Sequence, residues 1–102
     1  MHMQVQIHSI HFDADERLVA FVEGKVSKLN TFHDQIINCE VFLRIEKNDV
    51  RENKVAEVKI HVPGADFFAK RRSSSFEASV DDALDAIRRQ ILKQKKVRTA
   101  VA

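Results

Sequence analysis

Hydrophobic and polar residues alternate along several segments of the chain, as they do in half-buried β-strands. In the first segment, Val5 and Ile7 alternate with glutamine and histidine. The third segment ends at Pro63 and Gly64, which stop a strand, and a short fourth one follows that turn. We therefore predict strands over four segments: 4–10, 37–46, 56–62 and 66–72.

Two other segments repeat apolar residues every three or four positions, which predicts amphipathic helices. The apolar stripes are Leu18, Val22, Val26 and Leu29 in the first, and Phe76, Val80, Leu84, Ile87 and Ile91 in the second. Asp13 and Asp15 offer capping side chains for the first helix, which we expect to end near Asn30. Ser74 and Glu77 have capping-box spacing at the start of the second.

The predicted order of elements is βαβββα, and each helix has one apolar stripe to bury. Both stripes can be buried together only if the helices lie on the same face of a four-stranded sheet. We therefore predict a two-layer α+β fold. A length of 102 residues fits one core, so we expect a single domain over 1–97 and a short basic C-terminal tail over 98–102.

The composition argues against several kinds of site. Cys39 is the only cysteine, so no intramolecular disulfide and no paired zinc spacing exist, and we expect a buried structural thiol. The histidines form no helical i, i+4 pair, so no metal site is expected. Without a glycine-rich loop or a nucleophile constellation, we expect no enzyme, no cofactor and no small-molecule substrate. We also expect no membrane segment and a cytoplasmic location.

Positive charge is concentrated toward the C-terminus, although the formal net charge is only +2. Residues 86–102 contain six Lys or Arg and no Asp or Glu. The helix cations that point away from the apolar stripe or lie on its flank are Arg88, Arg89, Lys93, Lys95 and Lys96. Acidic residues crowd the first half of this helix, so a solvated surface that compensates the helix dipole remains an alternative interpretation.

Two further elements supply cations. The first helix carries Lys25 and Lys28 along one side, and the fourth strand ends in Arg71 and Arg72. If the three groups converge, they form a surface of the kind that binds a phosphate backbone. Their convergence depends on how the helices pack.

Four segments together carry a resemblance to a known family. They are 18–29, 39–46, 58–64, and the pattern Ser-Phe-Glu-Ala-Ser-Val-Asp at 75–81 that leads into Arg-Gln-Ile-Leu-Lys-Gln-Lys at 89–95. Over nearly its whole length the chain resembles the ribosome hibernation promoting factors, also called ribosome-associated inhibitors or sigma-54 modulation proteins. The resemblance implies a βαβββα fold similar to that of double-stranded-RNA-binding domains, in agreement with the predicted order.

The resemblance also implies a function in stress response and translation regulation. Members bind the decoding region of the small (30S) ribosomal subunit and its 16S rRNA, block messenger and transfer RNA binding in idle 70S ribosomes, and are not enzymes. The RNA-contacting positions it implies here are Lys25, Lys28, Arg88, Arg89, Lys93, Lys95 and Lys96, with Arg71 and Arg72 in addition. The run that ends in Arg72 departs from the family, where acidic residues are common, and Phe76 replaces a common tyrosine. The length resembles the short form.

An alternative function is a protein-interaction module that uses the exposed sheet face or an edge strand. Phe42 falls on the otherwise polar sheet face, and its exposure would favour such a contact. Salt separates the two hypotheses. RNA binding should weaken steeply with added salt, whereas recognition at a sheet edge should barely respond.

Overall fold

The computed structural model describes residues 4–31, 35–46 and 51–101, with the side chains of Asn30 and 95–101 left outside the description. Its elements are β1 (Gln4–Ile10), α1 (Glu16–Ser27), β2 (Asn38–Ile45), β3 (Lys54–Val62), β4 (Ala65–Ser73) and α2 (Phe76–Val101). The predicted connection over 47–53 lies largely outside the described residues. The predicted boundary between a domain and a tail at residue 98 stays a prediction, and the backbone of α2 continues through it.

The four strands form one sheet in the order β1-β2-β3-β4. β1 pairs with β2 in parallel, whereas the other neighbours pair antiparallel. A parallel pair needs a crossover connection, and α1 supplies it. The predicted βαβββα order and two-layer α+β architecture are therefore confirmed.

Side chains from the helices and the sheet meet in one core. From β2, Cys39, Val41 and Leu43 are fully buried there. Both predicted helix stripes join them, with only Leu18 partly exposed. Two core positions of the predicted strand 37–46 are wrong, because Ile37, which precedes β2, and Ile45, at its end, are 48% and 41% exposed. Both isoleucines lie at the ends of the segment, beyond the part of the sheet that the helices cover, although the apolar alternation continues to them.

Local hydrogen bonds set the helix starts. Asp15 Oδ1 accepts from the backbone N–H of Leu18 at 2.8 Å, as predicted for a capping aspartate. For α2 the predicted box at Ser74 is wrong, since Ser75 Oγ accepts from the N–H of Ala78 at 3.1 Å. Both candidate serines precede the same apolar stripe, so periodicity alone did not distinguish them.

The end of α1 differs from the prediction. The α-helix ends at Ser27, and a 3₁₀ turn over Lys28–Thr31 follows it. Thr31 Oγ1 donates to the carbonyl of Lys28 at 2.7 Å. The tighter turn still brings Leu29 into the core, which explains why the apolar periodicity extends past the α-helix.

Two polar contacts tie α2 to the sheet. Near its start, the buried Ser79 donates from Oγ to the carbonyl of Lys54 in β3 at 2.6 Å. Further along, the Gln90 amide bonds the backbone of Phe68 in β4. These bonds supplement the apolar stripe and fix where α2 lies along the sheet.

Candidate nucleic-acid interface

A groove of about 220 Å³ runs between α1 and α2 on the side away from the sheet. Lys25 and Lys28 near the end of α1 line it together with Arg88 of α2, and Asp81 and Asp85 lie among them. Packing of both helices on one face thus brings together cations that are far apart in the sequence. The predicted convergence of the two helices is present for these residues.

Acidic side chains of α2 hold several of these cations. Lys25 Nζ lies 3.1 Å from Asp81 Oδ1 and 5.5 Å from the centroid of the Phe21 ring. Asp85 accepts from Arg88 at 3.0 Å and pairs with Arg89 at 2.9 Å. The Asp85 pairs have the i, i+3 and i, i+4 spacing that is favourable within a helix, whereas the link from Asp81 to α1 depends on helix packing and has no local sequence signal.

Beyond the groove, the solvent-facing side of α2 carries further positive charge. The side chain of Arg89 is 76% exposed, and Lys93 is exposed one turn further on. Neither Lys28 nor Lys93 has an acidic partner among the side chains that the structure describes. Their charge is therefore available to an anionic ligand.

Of the remaining predicted contacts, Arg71 and Arg72 do not join this groove. Lys95 and Lys96 belong to α2, but their side chains lie outside the described part of the structure. Arg71 reaches the opposite flank of α2, where its Nε lies 3.4 Å from Asp82 Oδ2. Arg72 pairs with Glu46 at 3.1 Å. Successive strand residues point to opposite faces, so neighbours in sequence are separated by the sheet.

The open face of the sheet, which the helices do not cover, carries charges that are paired with one another. Arg44 lies 3.1 Å from Glu57 and 3.9 Å from Glu46, which also pairs with Arg72. Val55 lies on this face in register with both arginines and is fully buried. The network thus protects one apolar side chain outside the main core.

Two histidine–carboxylate pairs lie on the same face. His8 Nε2 is 3.5 Å from Glu40, and His61 contacts Asp66. The ring of Phe42 stacks on His8 with 4.8 Å between centroids. Phe42 is therefore partly covered by a neighbour in the fold, which weakens the expectation that it is a free contact.

A depression of about 350 Å³ lies on the open face, larger than the groove between the helices. Its lining includes Glu40, Lys59, His61, Asp66 and Phe68. Its two carboxylates, Glu40 and Asp66, outnumber the lysine in its lining, Lys59, whereas the groove between the helices has three Lys or Arg side chains against Asp81 and Asp85. The depression therefore lacks the excess of positive charge that favours a phosphate backbone. The groove between α1 and α2 is the better candidate for RNA.

Other kinds of site find little support in the described residues. There, no three His, Cys, Asp or Glu side chains are grouped to hold a metal ion. Burial raises the pKa of the Cys39 thiol to about 12, with a smaller contribution from the charge of Glu40. Within the same residues, no helix is long and apolar enough to span a membrane.

Sequence comparisons connect the chain to a family of known proteins. Residues 5–99 match the sequence model of the family described as Sigma 54 modulation protein / S30EA ribosomal protein. The ribosome hibernation promotion factor of Deinococcus radiodurans is 33% identical over 96 residues, which cover 91% of this chain and 50% of that protein. The ribosome hibernation promoting factor of Azotobacter vinelandii is 32% identical over 94 residues, covering 92% and 84%. The chain thus spans half the length of the first relative and most of the second.

Solved structures share the fold. A ribosomal subunit interface protein from Coxiella burnetii superposes with a TM-score of 0.82 at 22% identity, covering 92% of this chain and 99% of that one. The N-terminal domain of Thermus thermophilus Protein Y gives a TM-score of 0.73 at 20% identity, covering 89% and 96%. The two-layer arrangement is therefore shared beyond close sequence similarity.

Proposed function

Because this chain belongs to the Sigma 54 modulation protein / S30EA ribosomal protein family, we propose that it is a ribosome-associated hibernation factor that inhibits translation. Its relatives in Deinococcus radiodurans and Azotobacter vinelandii are named for ribosome hibernation. Members of this family are binding proteins rather than enzymes. A ribosome-bound protein acts in the cytoplasm.

The partner that we propose is the decoding region of the small (30S) ribosomal subunit, contacted through 16S rRNA. The observation that carries this site is the groove between the helices, where Lys25, Lys28 and Arg88 line one surface. Arg89 and Lys93 continue the positive charge along α2. Lys95 and Lys96, which follow in the same helix, are proposed as further contacts.

The ion pairs in the groove are compatible with RNA binding. The side chains of Asp81 and Asp85 are 53% and 35% exposed, and exposed ion pairs contribute only about 0 to 1 kcal/mol each. Lys25 and Arg88 therefore lose little when they exchange a carboxylate for a phosphate.

Inhibition follows from occupancy. A rigid two-layer domain in the decoding region excludes messenger and transfer RNA by volume, and no chemical step is required. The same occupancy in a 70S ribosome keeps that ribosome idle.

Sedimentation with purified ribosomal particles tests this proposal. We expect the protein to pellet with 30S subunits and 70S ribosomes at low salt, to be released at high salt, and to reduce transfer RNA binding. A protein that stays in the supernatant at every salt concentration would rule out the ribosome as its partner.

One observation favours a second candidate, a protein-interaction module on the open sheet face. Phe68 is 47% exposed there, at the edge of the depression that Lys59 and Asp66 line. A Lys59→Glu variant distinguishes the two functions. If this variant loses ribosome binding while Lys28→Glu retains it, the open face rather than the helix groove is the interface.

A further inference from the structure

β4 is an edge strand, since β3 is the one strand that pairs with it among the residues that the structure describes. An edge strand presents backbone N–H and C=O groups that can pair with a strand of another chain. In an antiparallel pair, every second residue of the edge strand directs its backbone N–H and C=O away from the neighbouring strand. The contacts of Phe68 and Lys70 with side chains identify them as outward-pointing residues, and Asp66 has the same parity.

Gln90 of α2 occupies the outward backbone groups of Phe68. Its Nε2 donates to the carbonyl of Phe68 at 2.9 Å, and its Oε1 accepts from the N–H of Phe68 at 3.4 Å. One side-chain amide thus makes both bonds that the residue opposite Phe68 in an added antiparallel strand would make. Gln90 stands where a pairing strand would have to lie.

A second side chain covers the next outward position. Arg71 donates from Nη1 to the carbonyl of Lys70 at 2.9 Å. The same guanidinium is held by Asp82 of α2 through its Nε at 3.4 Å. Both covers of the β4 edge therefore depend on α2.

The edge of β4 that Gln90 and Arg71 occupy could pair with the same edge of a second copy of the chain, because its side chains are complementary in such a pair. If two copies of β4 pair antiparallel about a two-fold axis at Phe68, each Asp66 lies opposite a Lys70 of the other copy. The two exposed Phe68 rings lie opposite each other. Opposite charges and aromatic pairs in such positions stabilise strand pairing, and a two-fold axis closes the contact at a dimer.

We propose that the β4 edge is a latent surface for pairing with a second copy of this chain, and that Gln90 keeps it closed. The Gln90 amide and a second β4 compete for the same N–H and C=O groups of Phe68. Removing the amide therefore shifts the protein from monomer toward a two-fold dimer. This inference does not depend on ribosome binding.

The test compares Gln90→Ala with Gln94→Ala by sedimentation equilibrium over a wide concentration range. Gln94 is a matched control, because it is the same residue type one turn further along α2 and makes no hydrogen bond to β4 among the described residues. We expect Gln90→Ala to dimerise at least about tenfold more tightly than the wild type, as expected when two competing hydrogen bonds are lost. Gln94→Ala should behave as the wild type. A Gln90→Ala protein that stays as monomeric as the wild type overturns the proposal.

Charge variants test the pairing geometry. In the Gln90→Ala background, Lys70→Asp places two carboxylates opposite each other and should return the protein to monomer, whereas Asp66→Lys together with Lys70→Asp should restore the dimer. If neither set of charge substitutions changes the dimerisation affinity, pairing through β4 is contradicted. If Gln90→Ala does not fold, Gln90→Leu gives the same comparison, since leucine favours the helix but has no hydrogen-bond donor or acceptor for Phe68.

Discussion

Cys39 illustrates how position in a strand decides the chemistry of a residue. It lies on the inner face of β2, fully buried among apolar side chains. Burial disfavours the thiolate and raises the pKa of the thiol to about 12. The thiolate is the reactive form, so the folded protein keeps this cysteine inert.

We predict that Cys39 resists alkylation in the native state. With iodoacetamide at pH 8, labelling followed by mass spectrometry should be slow in buffer and fast in denaturant. Equal rates in both would contradict the buried position. The Cys39 thiol has a pKa of 9.0 in the unfolded chain and about 12 in the folded protein, so it ionises at lower pH when the chain is unfolded. The free energy of unfolding therefore does not depend on this thiol below pH 9, and it decreases as the pH rises from 9.0 toward about 12.

Replacing Asp85 should change the stability of the fold and the affinity for RNA in opposite directions. It pairs with both Arg88 and Arg89, and each such helical pair contributes about 0.2 to 0.5 kcal/mol. We predict that Asp85→Asn lowers the free energy of unfolding by less than about 1 kcal/mol. The same change removes a negative charge from the groove, so affinity for 30S subunits should rise several-fold.

Denaturant unfolding and 30S pelleting of the same preparation measure both effects. Asp66→Asn serves as the control, because it removes an exposed carboxylate on the open face, away from the groove. Tighter binding in both variants would point to net charge rather than to the groove. Unchanged or weaker binding in Asp85→Asn would contradict a role for this groove.

At the scale of an element, the stability of α2 depends on the hydrogen bonds of its first turn. Ser75 caps it through Oγ, and Ser79 then anchors it to the carbonyl of Lys54. We predict that Ser75→Ala lowers the free energy of unfolding by about 1 kcal/mol, as loss of a serine cap usually does. Ser74→Ala should change it by less than about 0.5 kcal/mol, as surface substitutions usually do. Thermal and urea unfolding measure the difference, and equal effects of the two variants would contradict the assigned cap.

Hydrophobic periodicity was sufficient to predict the elements and their core faces. Val22, Val26, Ile87 and Ile91 are all fully buried, as their spacing indicated. Element ends were less predictable, because they depend on neighbours in space. The pattern of β2 continues to Ile45, but a side chain on the inner face of the sheet is buried only where a helix packs over it. Nothing in the local sequence indicates where that helix cover ends.

At the scale of the whole molecule, the positions of the cations depend on tertiary packing. The sequence shows Arg71 and Arg72 as one run, yet the first contacts α2 and the second contacts Glu46 on the open face. Their partners are distant in sequence, so no local pattern identifies them. The convergence of Lys25, Lys28 and Arg88 was a conditional expectation that the packing of α1 beside α2 fulfils.

The two faces of the molecule differ in how their charge is balanced. On the open face, the four cations Arg44, Lys59, Lys70 and Arg72 lie among four carboxylates, Glu40, Glu46, Glu57 and Asp66, so its charge is balanced although Lys59 and Lys70 have no acidic partner among the described side chains. On the helical face, Lys28 and Lys93 have none among the described side chains, and Arg88 and Arg89 share one aspartate. A polyanion such as RNA therefore interacts more favourably with the helical face.

The salt dependence of 30S binding tests this account most directly. Each phosphate contact contributes roughly 0.7 to 0.9 to the slope of log affinity against log salt. We predict that Lys28→Glu with Lys93→Glu weakens binding at low salt and makes the slope shallower by about 1.4 to 1.8, as expected when two phosphate contacts are lost. Lys59→Glu on the open face should leave the slope unchanged. Equal slopes for the wild type and the double variant would contradict the helix groove as the RNA-binding surface.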